Sequence, residues 1–316
     1  MSAGAAQVQH SVEEFLRALD ENKALARIEA LSLGGTIPPP VHLKLNHLVR
    51  LFSIVGGMPE AVHHFARQRR FRGVEKIKSE IIETFRLDFH RYQGRANPQL
   101  LTTAFDVMPR LVGRKMIYSH LDPNRRSDEL ARAVAQLCLA GVAIKVFHSH
   151  ANGIPLAAEK NERFFKMMLL DTGLLLTRLG LQPPEVDRVD ELTLINEGML
   201  AEQFIGQQLY QLHPAYRTPE LFYWARQKKS SSAEVDFVVP DGSGRIVPIE
   251  VKAGSSGRLR SLQHMVREKS LPRAIRFCSA QPSILKEARG TTKGPVSFEL
   301  ISLPHYLVRQ LPRLLG

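Results

Sequence analysis

Residues 233–252 read Ala-Glu-Val-Asp-Phe-Val-Val-Pro-Asp-Gly-Ser-Gly-Arg-Ile-Val-Pro-Ile-Glu-Val-Lys, and this stretch predicts a β-hairpin. Two runs rich in Val, Ile and Phe flank the segment 240–244, which consists of turn-forming residues. Asp-Gly between such runs is a strong signal for a tight turn. The two strands are therefore expected to lie side by side and antiparallel.

The charged residues of this hairpin are spaced for one shared site. Because strand side chains alternate between faces, Glu234, Asp236 and Val238 are expected on one face. Glu250 and Lys252 likewise share one face of the second strand. Carboxylate oxygens suit a hard cation such as Mg²⁺, which can activate water and stabilise charge on a phosphate. The same charges also fit a solvated strand face, where opposite charges across strands attract by roughly 0.2–1 kcal/mol.

Composition narrows the class of protein. The 316 residues suggest two or three domains, and 44% hydrophobic with 23% charged residues is ordinary for a folded chain. Lysine and arginine number 43 against 31 acidic residues, a net charge of +12 that favours nucleic acid first and an acidic protein or membrane surface second. Two cysteines cannot build a disulfide framework. We see neither a signal peptide nor a membrane-spanning run and expect a cytoplasmic protein without a membrane partner.

The pattern of hydrophobic residues divides the chain into three predicted segments. Residues 1–92 show helical spacing and predict a helical region. Residues 93–160 predict two helices followed by a small hairpin, which is the order of a winged helix-turn-helix. Residues 161–316 interleave strands and helices, which is typical of a mixed α/β domain. The predicted fold class is therefore a multi-domain α/β protein.

The middle segment predicts a module for nucleic acid. Helices are expected at 98–112 and 127–139, and the two strands of a wing at 142–147 and 154–157. A helix-turn-helix usually places one helix in the major groove of DNA, but a winged helix also serves as a protein-docking module. The basic residues expected to meet phosphates are Arg110, Arg114, Lys115, Arg125, Arg126 and Arg132.

Several short motifs occur in the order in which a known family has them. They are Ile-Val-Gly-Gly-Met-Pro-Glu-Ala-Val at 54–62, Phe-Lys at 165–166, Leu-Asp-Thr-Gly-Leu-Leu at 170–175, Glu202 with Gln-Leu at 208–209, Tyr-Trp at 223–224, Ala-Glu-Val-Asp-Phe at 233–237, and Pro-Ile-Glu-Val-Lys at 248–252 with Ser-Leu at 261–262. Together they resemble a large family of prokaryotic AAA-type ATPases that carry a C-terminal domain of unknown function. The resemblance extends over nearly all of the chain from Ser11 onward.

The resemblance implies a particular fold for the last segment. The C-terminal part of the family is similar to the restriction-endonuclease-like fold with the PD-(D/E)XK pattern. That pattern has an Asp on one strand, Glu-x-Lys on the next and a helical Glu upstream, and Asp236, Glu250, Lys252 and Glu202 fill those places. The resemblance implies that Asp236 and Glu250 hold Mg²⁺, with Glu202 as a further ligand or as a group that orients one. Lys252 would orient or polarise the attacking water.

The chain departs from this family in one respect. The sequence contains no G-x-x-x-x-G-K-[ST] phosphate loop, so no bound nucleotide and no ATPase activity are expected from this chain alone. The nucleotide-binding core of the family would lie upstream of Ser11. Two functions remain open: a DNA-associated protein with a nuclease-like domain that cleaves phosphodiesters with Mg²⁺, and a non-catalytic regulatory module that binds an ATPase domain or another protein.

Overall fold

The structure is a computed structural model, and it describes residues 9–92, 97–183, 186–191, 194, 196–214, 216–226, 233–289 and 296–316. Within these ranges the chain forms eleven α-helices and eight strands. The helices are α1 (Val12–Ala18), α2 (Asn22–Ala30), α3 (Pro39–Val55), α4 (Pro59–Gln68), α5 (Val74–Phe89), α6 (Pro98–Val107), α7 (Ser127–Leu139), α8 (Thr172–Arg178), α9 (Glu197–Tyr210), α10 (Arg260–Lys269) and α11 (Leu311–Leu315). The strands are β1 (Ala143–Ser149), β2 (Lys160–Leu169), β3 (Leu221–Ala225), β4 (Glu234–Pro240), β5 (Ile246–Val251), β6 (Arg273–Cys278), β7 (Ser283–Arg289) and β8 (Val296–Pro304).

All eight strands belong to one mixed sheet, in the order β2-β1-β3-β4-β5-β6-β8-β7. The pairs β1/β3, β5/β6 and β6/β8 run parallel, and the others run antiparallel. The mixed α/β prediction is confirmed, and so is the hairpin, which is formed by β4 and β5. Its turn is closed by Asp241, whose side chain accepts hydrogen bonds from the N–H groups of Ser243 and Arg245.

Helices cover both faces of the sheet. On one face α10 packs against β4, β5 and β6, and it buries Leu262, Met265 and Val266 there. On the other face α9 packs against β2, β3 and β5. The main hydrophobic cluster contains residues from Val12 to Leu315 and so draws on all three predicted segments. Among the described residues, none of the helices combines the length and the apolar character needed to cross a bilayer.

The predicted second wing strand at 154–157 is wrong. This stretch leads into a 3₁₀ turn at Leu156–Glu159, and the partner of β1 is β2, which starts at Lys160. Pro155 has no backbone N–H to offer a strand ladder, which disfavours pairing at that position. β1 also pairs in parallel with β3, so the hairpin formed by β1 and β2 belongs to the same sheet as the other strands.

Neither the winged helix nor the restriction-endonuclease-like fold is confirmed. The predicted boundary between 160 and 161 falls at the first residues of β2, and the division of the chain into three parts remains a prediction. The predicted helix at 98–112 ends earlier, at Val107, and continues as a 3₁₀ turn at Met108–Arg110. The cause is Pro109, which cannot donate the hydrogen bond that an α-helix would require.

A buried carboxylate, Asp171, ties the N-terminal helices to the sheet. Its Oδ2 accepts hydrogen bonds from the N–H of Gly57 at 2.6 Å and from Nε2 of Gln207 at 3.2 Å, and its Oδ1 accepts the N–H of Leu174 at 2.9 Å. Burial raises the pKa of Asp171, while the hydrogen bonds from Gly57 and Leu174 oppose that shift. Because Gly57 precedes α4, Leu174 lies in α8 and Gln207 lies in α9, one side chain fixes three elements.

A second set of hydrogen bonds holds α9 against the end of β2. The side-chain amide of Gln203 accepts the N–H of Leu169 at 3.0 Å and donates to its carbonyl at 2.7 Å. One turn further, Gln207 accepts the N–H of Thr172 at 3.0 Å. These buried amides set the register of α9 along β2, and therefore the position of the next residue back from Gln203, which is Glu202.

Gly56 offers a test of the Asp171 connection. Gly56 follows α3 with φ at +84°, and a methyl group there would lie 2.2 Å from Oδ1 of Asp171. We predict that Gly56→Ala lowers the free energy of unfolding by about 2–4 kcal/mol, because it adds backbone strain and displaces a hydrogen-bonded carboxylate. Urea unfolding followed by circular dichroism measures this. The control is Gly198→Ala in the first turn of α9, where the methyl group meets nothing within 4 Å outside its own helix; it should stabilise by at most about 1 kcal/mol. Equal stability of Gly56→Ala and wild type would contradict the prediction.

Candidate functional site

A β-bulge in β4 sets the direction of Asp236. The register of β3 with β4 shifts by one residue between Phe222 and Trp224, so that Asp236 and Phe237 together lie opposite Tyr223. An extra residue of this kind re-aims the side chains around it, and such bulges are common next to functional sites. The side chains of Asp236 and Phe237, which in a regular strand would point to opposite faces of the sheet, therefore point to the same face.

The expectation that Val238 shares a face with Glu234 and Asp236 is wrong because of this bulge. Val235 and Val238 pack in the cluster beneath α10, whereas Phe237 packs in the main cluster beneath α9. The extra residue reverses the alternation for the rest of β4. The shared face of Glu234 and Asp236 is confirmed by their common contact with a lysine described below.

Asp236 lies in the gap where β4 and β5 separate. The pairing of these two strands reaches no further than Phe237. Beyond that point Oδ2 of Asp236 accepts the backbone N–H of Val251 at 2.8 Å. The Asp236 carboxylate thus bonds the residue that lies between Glu250 and Lys252, and it is placed there by the end of the strand ladder.

Glu250 and Lys252 form an ion pair on the α10 side of β5. Nζ of Lys252 donates to Oε1 of Glu250 at 2.7 Å, and the Glu250 side chain is only 9% exposed. The neighbouring Ile249 and Val251 pack in the main cluster beneath α9, so alternation places the pair on the other face. The second carboxylate oxygen of Glu250, Oε2, is buried and has no hydrogen-bond partner within the described residues.

A buried lysine, Lys166, holds the carboxylates on the α9 side. Its Nζ lies 2.9 Å from Oε1 of Glu202, 2.7 Å from Oε1 of Glu234 and 3.9 Å from Oδ1 of Asp236. The Lys166 side chain is 2% exposed, and a charge buried to this degree persists only where it is paired. Asp236 therefore contacts both halves of the site, Lys166 on one side and the N–H of Val251 on the other.

The position of Glu202 follows from the packing of α9. Lys166 precedes Leu169 by three residues on β2, and Glu202 directly precedes Gln203 on α9. The two hydrogen bonds between Gln203 and Leu169 therefore bring the carboxylate and the ammonium group to the same place. The ion pair between Lys166 and Glu202 therefore depends on the hydrogen bonds of an uncharged side chain, Gln203.

Sequence analysis does not assign Lys166 or Glu234 to this site. A signal for Lys166 exists: it is the one charged residue in the otherwise apolar run 164–170. Lysine is almost never fully buried unless it is paired, so an isolated lysine in a buried strand indicates acidic neighbours. Which neighbours these are depends on long-range packing and cannot be read from the run itself.

Burial changes the protonation of the cluster. It raises the pKa of Glu202 and that of Glu250 to about 7, and the charge on Asp236 adds to both shifts. Burial also raises the pKa of Asp236, against the effect of Lys166. For Lys166 burial lowers the pKa, but the three nearby carboxylates raise it by more, so the lysine keeps its charge. The groups of this cluster that gain or lose a proton near neutral pH are therefore the carboxyl groups of Glu202 and Glu250, and not the ammonium group of Lys166.

One of the six residues predicted to meet phosphates, Lys115, contacts this cluster, and two others, Arg110 and Arg114, are close to it in sequence. The segment 111–115 runs past it: Nζ of Lys115 lies 3.2 Å from Oε2 of Glu234, and a methyl group on Gly113 would lie 3.2 Å from Oε2 of Glu202. The exposed basic residues in or next to this segment are Arg110, Arg114 and Lys115. Positive charge thus borders the carboxylates on the side of α9.

The other three predicted residues, Arg125, Arg126 and Arg132, lie at the start of α7 and are exposed. Arg126 and Arg132 each approach a carboxylate oxygen of Asp128 to 3.2 Å. Exposed pairs of this kind contribute little to stability, typically about 0–1 kcal/mol. Their contact with phosphate remains a prediction.

Asp236 and Glu250 offer the type of donor that a hard divalent cation takes, with Asp236 in the gap between β4 and β5 and Glu250 on the α10 side of β5. Oε2 of Glu250 is buried and has no hydrogen-bond partner among the residues that the structure describes. Glu202 is held by Lys166 instead, and its predicted role as a ligand stays a prediction. In the part of the chain that the structure describes, no group of three or more His, Cys, Asp or Glu side chains is arranged to hold a metal ion. Such a cation would complete its shell with water.

Comparison with known proteins identifies two domains of unknown function. Residues 46–185 match one (DUF8612), and residues 197–289 match another (DUF4143). The second is commonly found in AAA-ATPase-associated proteins, in agreement with that part of the resemblance noted in the sequence. It includes Glu202, Asp236 and Glu250, whereas Lys166 lies in the first, so the acidic cluster joins residues of both matched regions. No curated protein and no solved structure matches the chain.

The raised pKa of Glu250 predicts a dependence of stability on pH. The pKa is about 7 in the folded chain against 4.5 for an ordinary glutamate, so the folded state binds more protons between these values and stability falls as the pH rises through them. In Glu250→Gln this contribution, at most about 3 kcal/mol, disappears. Urea unfolding at pH 5, 6, 7 and 8 measures it, with the exposed Glu162→Gln as control, which should follow wild type. A Glu250→Gln profile parallel to that of wild type would contradict the prediction.

Proposed function

We propose that this chain is a DNA-associated protein whose Asp236, Glu250 and Lys252 form a site for Mg²⁺-dependent phosphodiester cleavage. The observation that carries the proposal is the hydrogen bond between Asp236 and the N–H of Val251, which brings this carboxylate to the backbone of the residue between Glu250 and Lys252. The resemblance of the last segment to the PD-(D/E)XK pattern supports the same assignment. So does the unpartnered oxygen of Glu250.

Each residue of the site has a role in this proposal. Asp236 and Glu250 would hold the cation, which when bound supplies a water of lowered pKa and a positive charge for the phosphate. Lys252 would orient the attacking water, since its ammonium group already lies 2.7 Å from Glu250 and its side chain is 26% exposed. The backbone of Lys252 is fixed on both sides, because its N–H donates to Phe277 and its carbonyl pairs with Nε2 of His305.

The charge distribution supports DNA as the partner. The chain carries a net charge of +12, and Lys115 contacts the acidic cluster, with Arg110 and Arg114 close to it in sequence. Phosphate contacts by lysine and arginine give most of the sequence-independent affinity for DNA. We infer that this basic segment leads the phosphate backbone toward Asp236, and that Lys115 exchanges its contact with Glu234 for a phosphate.

A second function is favoured by a different observation. Lys166 already supplies positive charge to Glu202, Glu234 and Asp236, so a stable cluster needs no metal on that side. The chain would then be a non-catalytic regulatory module that binds an ATPase domain or another protein. In that case the acidic cluster stabilises the fold only, and wild type is inert on DNA.

Cleavage separates these two functions. We predict that wild type nicks duplex or branched DNA with Mg²⁺ or Mn²⁺, and that Asp236→Asn and Lys252→Ala each lower the rate by roughly 100-fold or more. Gel assays on labelled DNA measure the rates, and circular dichroism verifies that both variants fold. The matched control is Lys286→Ala, an exposed lysine on β7 at the far edge of the sheet, which should cleave at the wild-type rate.

Two outcomes would contradict the cleavage prediction. Wild type could be inert on single-stranded, duplex and branched DNA with either metal, which would favour the regulatory module. Alternatively, folded Asp236→Asn could retain full activity, which would place the chemistry elsewhere in the chain.

DNA binding gives an independent prediction. Neutralising Arg110, Arg114 and Lys115 together to glutamine should weaken duplex binding and reduce the slope of log affinity against log salt by roughly two to three, because each phosphate contact contributes about 0.9. Fluorescence anisotropy between low and moderate salt measures the slope. The comparison is Arg125, Arg126 and Arg132 changed in the same way. If the first triple variant keeps the wild-type slope, the basic segment does not meet phosphates.

A further inference from the structure

We propose that the ammonium group of Lys166 occupies a cation position within the acidic cluster, so that the cluster takes one divalent cation fewer than its carboxylates could otherwise hold. Only the assignment of the other cation position, at Asp236 and Glu250, rests on the proposed function. The inference itself concerns what Lys166 replaces, and it holds whether or not the chain cleaves DNA.

Lys166 is surrounded by carboxylates, the groups that bind hard cations in proteins. Three carboxylate oxygens from two elements, one from α9 and two from β4, surround its Nζ at 2.9, 2.7 and 3.9 Å. Carboxylates bind hard divalent cations at about 2.0–2.6 Å, so two of these oxygens would need to move by less than about 1 Å to hold one. The side chain is 2% exposed, so its partners are protein groups and not water.

Charge counting leads to the same result. The cluster has four carboxyl groups and three ammonium groups, which when all are ionised leave one negative charge: Glu202, Glu234, Asp236 and Glu250 against Lys115, Lys166 and Lys252. Removing the charge of Lys166 leaves two. One divalent cation neutralises a net charge of minus two. Without such a cation the carboxylates of the Lys166 variant would repel one another in a poorly solvated site.

This position of Lys166 makes it a positioning residue for Asp236. An ammonium group held by three carboxylates keeps its proton, so it is neither a base nor a nucleophile. Its contact with Oδ1 leaves Oδ2 of Asp236 for the N–H of Val251, and its hydrogen bond with Oε1 of Glu202 holds that carboxylate on the α9 side. A cation at Asp236 and Glu250 would then have two protein ligands, and the rest of its shell would be open to water and phosphate.

The test is to remove the charge and count cations. Purified full-length wild type, Lys166→Met and Lys166→Gln are titrated with Ca²⁺ by calorimetry, and their thermal unfolding is followed with and without Ca²⁺. Ca²⁺ is chosen because binding is then read out without any cleavage. We expect both variants to bind one Ca²⁺ per chain more than wild type, and their unfolding midpoints to rise by several degrees with Ca²⁺ in excess of any rise in wild type.

Two controls assign the additional cation. In Lys166→Met combined with Glu234→Gln it should be lost or bound at least tenfold more weakly, since one of its ligands is gone. Lys145→Met removes a lysine from the neighbouring strand β1 whose ammonium group lies over the ring of Phe165, and it should bind as wild type does.

Every outcome bears on the proposal. If wild type binds no Ca²⁺ and Lys166→Met binds one, the inference stands while the cation site of the proposed function fails. A variant that folds only in the presence of Ca²⁺ supports the inference, because the cation then replaces the ammonium group. The inference is overturned if the variants bind no more Ca²⁺ than wild type, or if both remain unfolded at saturating Ca²⁺.

Discussion

The hydrogen bonds of one buried carboxylate, Asp171, hold this chain in its shape. Asp171 accepts the N–H of Gly57, the N–H of Leu174 and the side-chain amide of Gln207, and so joins the N-terminal helices, α8 and α9. α9 is fixed a second time by Gln203 at the end of β2. Everything in the acidic cluster depends on that placement, because Glu202 can reach β2 only if α9 lies in this register. Without the hydrogen bonds of Asp171 and Gln203, α9 would not hold Glu202 next to Lys166.

Within the cluster, Asp236 is the residue shared by two arrangements of opposite character. Toward α9 it belongs to a closed set, in which the buried Lys166 pairs with several carboxylates. Toward β5 it belongs to an open set, in which one oxygen of Glu250 has no partner in the described part of the chain and Lys252 is partly exposed. The closed set joins α9, β2 and β4, and the open set is the one to which the proposed function assigns chemistry. Asp236 can belong to both sets because it lies in the β-bulge of β4, at the point where the pairing of β4 with β5 ends.

The sequence predicted the hairpin of β4 and β5, the helical character of the first 92 residues, the helices α6 and α7 and the mixed α/β class, because alternation, helical spacing and the Asp-Gly turn are local signals. It did not predict the strand β7, and it placed a strand at 154–157 where Pro155 disfavours one. Of the site, Glu202, Asp236, Glu250 and Lys252 could be named, but not that Glu202 belongs with Lys166. The reason is physical: the bulge at Asp236 and the contact of Lys166 arise from the register of strands distant in sequence, and a single sequence carries no record of that register.

The central claim is that Asp236 and Glu250 hold one divalent cation while Lys166 holds the place of another. A crystal structure of the wild-type chain soaked in Mn²⁺, with anomalous differences measured at the manganese edge, tests this most directly. The account predicts one peak, within ~2.0–2.6 Å of oxygens of both Asp236 and Glu250, with Lys166 still bound to Glu202 and Glu234. A peak among Glu202, Glu234 and Asp236 with Lys166 displaced, or no peak at Asp236 and Glu250 at saturating Mn²⁺, would contradict it.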